Sequence, residues 1–217
     1  MNQEEFITLV CKRVQEKLDQ IENYKIPIGV SNRHVHLCKK DLETLFGEGY
    51  ELTKKSDLKQ PGQFASNELV TIRGSKGEFE NVRILGPIRN KTQVEISLTD
   101  SFRLGVKAPI KESGKLEGTP GLEIIGPKGK ISVDEGTIVA LRHIHMTPKE
   151  ARLMNVKDGD FVDVEIFGQR RAIMSKVLVR VSDSYRLEMH LDTDEANSVS
   201  IKNGDFAVLK NKNSIVQ

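Results

Sequence analysis

From Pro27 onward the chain is cut every few residues by Gly, Pro, Asn or Asp, and the stretches between are short, β-branched and alternating. Runs of this length and period match half-buried strands rather than helices. Ile26–Val30, Leu69–Arg73, Asn81–Leu85, Gln93–Leu98, Leu122–Gly126, Lys130–Val133, Gly136–Leu141, Phe161–Ile166, Met174–Val181, Glu188–Leu191 and Phe206–Leu209 all read as strands. Helical stretches are few and short: Lys39–Phe46, Pro148–Met154 and Asp194–Ser200. Lys111–Pro120, with Gly114, Gly118 and Pro120, reads as the longest loop. Many short strands point to barrels, which leave no exposed edge. The expected fold class is therefore mainly β, barrel-like, with short capping helices.

Ahead of this region, residues 3–23 read as a helix. Phe6, Leu9, Val10, Val14, Leu18 and Ile21 recur at three- and four-residue steps among charged neighbours. Pro27 ends it, because the residue before a proline disfavours the α region. The apolar stripe needs a surface, and two readings stand: a cap on the domain or on a sister subunit, or a docking peptide for another protein.

Two internal repeats organise the rest. Val156-Lys157-Asp158-Gly159-Asp160-Phe161 is echoed by Ile201-Lys202-Asn203-Gly204-Asp205-Phe206. In each, the glycine supplies an unusual backbone angle and the aspartate can bond local amides at a turn into a strand. This unit resembles the helix–Gly-Asp–strand element of double-psi-type barrels, and it says nothing about chemistry. The second repeat does. Arg33-His34-Val35-His36-Leu37 is echoed by Arg142-His143-Ile144-His145-Met146, so four of the five histidines lie in two His-x-His pairs. On a strand, residues two apart face the same way, so each pair can offer two imidazoles to one ion while Val35 or Ile144 enters the core. Zinc takes such nitrogens at about 2.0–2.1 Å. His190, on the alternating run Leu187–Asp192, can complete a three-histidine set. Spacing alone leaves Glu95, Glu188 and Asp192 equally eligible as a carboxylate ligand. Cys38, two residues past His36, reads as a small buried thiol.

An anion site must be built locally, since 33 basic against 31 acidic residues leave a net charge of only +2. That balance, with 5% aromatic residues and no Trp, argues against a nucleic-acid platform. Arg83 and Arg89 flank Ile84–Ile88, a strand entering a tight turn, and Lys76 sits in the turn Gly74–Gly77 just upstream. Two cysteines, Cys11 and Cys38, form no disulfide framework, which suits a reducing cytosol. No apolar run approaches the roughly 18 residues of a spanning helix, and the polar start lacks the features of a secretory signal.

Six ordered segments carry a resemblance to a known family: Pro27–Leu37, Gln60–Gln63, Asn81–Pro87, Gln93–Ser97, Arg142–Met146 and Arg186–Asn197. Together they resemble the PduL-type phosphotransacylases, the phosphate propanoyltransferases of bacterial microcompartments, from about residue 25 to 210. The resemblance implies two β-barrel domains with discontinuous connectivity: residues 24–32 plus 141–210 in one, and 33–140 in the other with a small excursion near 47–67. It implies two metal ions per chain, usually zinc, though other divalent ions are compatible. His34, His36 and Glu95 would hold one, and His143, His145 and His190 the other. Arg89 would hold phosphate, and Val30, Ser31, Asn32, Lys76, Arg83 and Asn197 would line a coenzyme A site. The implied reaction exchanges phosphate and coenzyme A on a short acyl group, propanoyl first among them. Residues 1–23 resemble the family's targeting helix, which implies shell-protein partners and a place inside a microcompartment of the bacterial cytoplasm. Homo-oligomerisation stays open, and neither nucleic acid nor membrane is expected as a partner. The rival readings are a metal-dependent thioester hydrolase and a non-catalytic barrel module binding CoA or zinc.

Overall fold

The computed structural model describes residues 2–22 and 24–212, with side chains for 2–16 and 24–210; Leu18 and Ile21 of the expected stripe lie outside the described side chains. In chain order the elements are α1 (Gln3–Glu22), β1 (Lys25–Ser31), β2 (His34–His36), α2 (Lys39–Phe46), β3 (Lys54–Asp57), β4 (Phe64–Arg73), β5 (Glu78–Gly86) and β6 (Gln93–Glu95). Then come α3 (Leu98–Leu104), β7 (Ile110–Lys111), β8 (Leu122–Ile125), β9 (Lys130–Val133), β10 (Thr137–Ala140) and β11 (His143–Met146). The last are α4 (Pro148–Leu153), β12 (Phe161–Ile166), β13 (Ala172–Val181), β14 (Glu188–Asp192), α5 (Thr193–Ser198) and β15 (Phe206–Lys212). The mainly-β expectation holds, with few and short helices after α1.

The chain forms two compact units. One comprises Met1–Gly29, His143–Met189 and Val199–Gln217, the other Val30–Arg142 and His190–Ser198. The first is built on a closed six-stranded barrel ordered β1-β14-β11-β13-β12-β15, with β1 returning to pair antiparallel with β15. Its inward residues are those the alternation selects: Ile26, Ile28, Ile144, Val162, Val164, Ile166, Val177 and Val179 are all fully buried. The Gly-Asp repeats supply two of its corners in matching form. Gly159 and Gly204 take φ of +81° and +91°. Asp160 accepts from the backbone N–H of Lys157, and Asp205 from that of Lys202, both at 2.9 Å.

The second unit is a curled nine-stranded sheet ordered β7-β10-β6-β2-β5-β4-β8-β9, with β3 added beside β4. Val35, Leu37, Ile72, Ile84, Val94 and Ile124 form its core. The pairing that matters for the site is β2 against β6, antiparallel, with His34 opposite Glu95 and His36 opposite Gln93. The expected strand Gln93–Leu98 is cut short. Ser97 accepts from the Asp100 N–H and Asp100 accepts in return from the Ser97 N–H, a reciprocal cap that starts α3 where alternation alone continues the strand. A matching cap, Asn2 with Glu5, opens α1. Phe6, Leu9, Val10 and Val14 of α1 are exposed. Among the described residues no helix is long and apolar enough to cross a membrane.

Candidate active site

Strand pairing brings His34, His36 and Glu95 together, with candidate ligand atoms all within 4.8 Å of one another. His34 Nε2 lies 3.4 Å from Glu95 Oε2, and His36 Nε2 lies 3.9 Å from Glu95 Oε1. Two donors on one tetrahedral zinc at 2.0–2.1 Å sit about 3.3 Å apart, so the first spacing fits directly and the second needs a shift of about half an ångström. The far nitrogens decide the tautomers. His34 Nδ1 faces the Asn32 carbonyl at 2.8 Å, and His36 Nδ1 faces that of Leu85 at 3.2 Å. A carbonyl only accepts, so each Nδ1 carries a proton, and each Nε2 is the nitrogen that faces Glu95.

Protonation is also right for a cation. Burial, with the charges of His34 and Arg89, lowers the His36 imidazole to about 3, against a smaller upward pull from Glu95. Burial pushes Glu95 up, but His34, His36 and Arg89 beside it, with a hydrogen bond from Ser113, outweigh that and hold it at about 2. A neutral imidazole and an ionised carboxylate are the forms that bind metal without first losing a proton. This donor set fits a zinc-like divalent ion.

Around it runs a polar ring that spacing did not reveal. Gln93, 1% exposed, donates to Glu95 Oε1 at 2.5 Å and to Ser113 Oγ at 2.9 Å, while its carbonyl accepts from the Gly114 N–H at 2.9 Å. Ser113 donates to Glu95 Oε1 at 3.0 Å and accepts from Arg89 Nη1 at 3.1 Å. One hydroxyl thus uses its single donor and both lone pairs. Arg89 and His36 also line a cavity of about 280 Å³ with Pro61, Gly62, Gln63, Gly86 and Pro87. An arginine and a candidate metal ligand therefore share one pocket.

In the barrel, His143 and His145 project from β11, ring centroids 4.7 Å apart, and His145 stacks on Tyr185 at 4.2 Å. His190 stands on β14, the neighbouring strand in the order of that barrel. Cys38 belongs to neither group; it is half-buried at the N-cap of α2, its N–H donating to Thr92.

The remaining expected residues are spread more widely. Val30 and Ser31 end β1, and Asn32 follows, its carbonyl already engaged with His34. Arg83 sits on β5 in parallel register with His34 and donates to the Ser66 carbonyl at 2.5 Å. Lys76 is exposed on the β4–β5 turn, its N–H bonded to the Leu104 carbonyl at the end of α3. Asn197 is exposed on α5.

A family model described as phosphate propanoyltransferase matches residues 27–202, from β1 past α5. The chain belongs to the phosphate propanoyltransferase family. A phosphate propanoyltransferase of Thermotoga maritima is 58% identical over 185 residues, covering 85% of this chain and 88% of its own. Those of Clostridioides difficile and Lachnoclostridium phytofermentans are 52% and 51% identical, covering 94% and 96% of this chain and 98% of each relative. Gln93, Ser113 and Tyr185 touch the candidate ligands and were missed by sequence reasoning. Gln93 carried a usable signal, sharing a strand face with Glu95 two residues away. Ser113, in a loop, carried none.

Proposed function

We propose that this chain transfers a short acyl group, propanoyl first among them, between coenzyme A and phosphate. The observation that supports this most directly is Arg89, bonded through Ser113 to Glu95 and sharing a pocket with His36. Family membership supplies the reaction class. In the acyl-phosphate direction, an oxygen of phosphate forms a bond to the thioester carbon, the C–S bond breaks, and coenzyme A leaves as its thiolate. Thiolate is a good leaving group, so no strong general acid is needed.

Arg89 offers phosphate a forked, permanently charged donor. Ser113 and Gln93 hold Arg89 and Glu95 in one orientation, which converts an encounter in solution into an aligned approach. Bound divalent ions, with zinc the first choice, held by His34, His36 and Glu95 and by His143, His145 and His190, would supply Lewis-acid polarisation of the oxygens that gain charge. Val30, Ser31, Asn32, Lys76, Arg83 and Asn197 are assigned to coenzyme A; Asn32 lies two residues before His34, and Arg83 is in register with it.

The test is release of CoA thiol from propanoyl-CoA by the full chain, with and without phosphate, before and after chelation. Release that requires phosphate and is lost on chelation supports the transferase. Release indifferent to phosphate makes the chain a thioester hydrolase, and no release from metal-loaded protein makes it a binding module. Arg89→Ala should keep its metal and raise the phosphate KM or lower kcat; unchanged phosphate kinetics would remove Arg89 from the site.

We further assign α1 to targeting into a bacterial microcompartment, because Phe6, Leu9, Val10 and Val14 leave an apolar stripe open to solvent. Deleting residues 1–23 should spare turnover and abolish co-purification with shell proteins. Undiminished encapsulation of the truncated chain would reject the assignment.

A further inference from the structure

The arginine that opens each Arg-His-x-His segment is absorbed by neither the donor sets nor the phosphate site. Arg33 Nε donates to Asp100 Oδ2 at 3.0 Å, and Arg33 Nη2 donates to Asp100 Oδ1 at 2.7 Å. Asp100 is 3% exposed and is the carboxylate of the reciprocal cap that begins α3 with Ser97. Arg33 immediately precedes His34, and Ser97 stands two residues beyond Glu95, the residue paired across the ladder with His34. The fork therefore ties the residue before one candidate ligand to the cap just after the other. The ring of Phe79 lies 4.0 Å from the Arg33 guanidinium and 4.4 Å from that of Arg103, which fixes the fork laterally.

The same wiring recurs at the second set. Arg142 immediately precedes His143, and its Nη1 donates to Glu195 Oε1 at 3.1 Å. Glu195 Oε2 accepts from the Asp192 N–H at 3.3 Å, and Asp192 Oδ1 accepts from the Glu195 N–H at 2.8 Å. Asp192 stands two residues beyond His190, as Ser97 does beyond Glu95. Gln93–Asp100 and Glu188–Glu195 thus share one plan: third ligand, one apolar residue, cap, two residues, capping acid. A part-buried contact between an arginine and an acid contributes little net stability once desolvation is counted, so its recurrence at equivalent places argues for a geometric use.

We propose that Arg33 and Arg142 are positioning residues that set the third ligand of each group, Glu95 and His190, through the capping acids Asp100 and Glu195. This rests on reading the two groups as cation sites. Partners outside the ligand shell typically govern about 10–100-fold of metal affinity.

The experiment is competition of full-length protein with a chromophoric chelator for Zn²⁺. Each group is isolated by removing the other: His145→Ala leaves the His34 group, and His36→Ala leaves the His143 group. In the His145→Ala background, Arg33→Met should weaken Zn²⁺ about 10–100-fold. Arg142→Met should leave that affinity in place, and the pattern should reverse in the His36→Ala background. Asp100→Asn, milder in shape, should reproduce Arg33→Met, and the two together should cost no more than either alone. Unchanged affinity in Arg33→Met and Asp100→Asn, whatever happens to the metal-free melting temperature, overturns the proposal. Equal weakening of both groups by either arginine variant also overturns it, since that is general destabilisation. Protein with both arginines intact that takes up no Zn²⁺ overturns the underlying cation-site reading instead.

Discussion

Ser113 donates its hydroxyl hydrogen to the carboxylate of Glu95 at 3.0 Å. The same oxygen accepts from Arg89 at 3.1 Å, so one small side chain joins the proposed phosphate anchor to a proposed metal ligand. Ser113→Ala removes both bonds, and the one from Gln93, with little volume. A hydrogen bond to a charged group is worth about 1.5–3 kcal/mol, which corresponds to roughly 10–100-fold. The expected result is a fall of about tenfold or more in kcat/KM for phosphate, with the metal retained, read by phosphate-dependent thiol release. A smaller fall in kcat/KM for propanoyl-CoA at saturating phosphate should separate this from a general loss of activity.

His36→Ala should lose one equivalent of bound metal and reduce phosphate-dependent turnover to background. Its partner Leu85 is a backbone carbonyl on a strand that remains paired, so the sheet should survive the change. Metal content by elemental analysis, alongside an unchanged far-ultraviolet dichroism spectrum, checks both halves.

Glu195 gives a pH signature. Burial, together with the charge of Asp192, raises its carboxyl from 4.5 to about 7, against the pull of Arg142. Between those two values the folded chain holds a proton that the unfolded chain releases. The contribution to stability is therefore full below about pH 4.5 and is lost as pH rises through 7, at most about 3 kcal/mol. Glu195→Gln carries no such proton. Denaturant titrations from pH 5 to 8 should show the variant gaining on the parent as pH rises; a constant difference would contradict the shift.

Gly159 and Gly204 isolate backbone strain from crowding. Both have φ in the left-handed region, and a Cβ at either would meet nothing within 4 Å. Alanine at each should cost about 1–2 kcal/mol. At Gly121 a Cβ would lie 1.6 Å from the Val133 carbonyl oxygen, so Gly121→Ala should cost far more. Urea midpoints of the three variants give the comparison directly.

The parts of this molecule that were legible in its sequence are those with a short period. His34 and His36, or His143 and His145, announce a shared strand face because two residues span one pleat. The Gly-Asp corners were legible for the same local reason, and the structure gives both the same turn. Glu95 was not separable from Glu188 or Asp192 by spacing. What singles it out is the β2–β6 register that sets it opposite His34, a relationship between residues 61 positions apart that no local pattern encodes. Arg33 and Asp100 are 67 positions apart and were hidden likewise. α3 was missed because alternation through Gln93–Ser97 masked a capping signal at its end.

The barrel closes by pairing β1 with β15, the first strand of the chain with the last. During synthesis β1 therefore emerges long before its partner and has to wait, edge exposed, for nearly the whole polypeptide. The strands of the nine-stranded sheet end at residue 140, so His34, His36 and Glu95 all precede His143 and His145 in the order of synthesis. A chain short of β15 leaves β1 and β12 unpaired along one side. Such open edges are what aggregation and quality-control machinery recognise. Pairing of β15 is thus the step that removes both open edges.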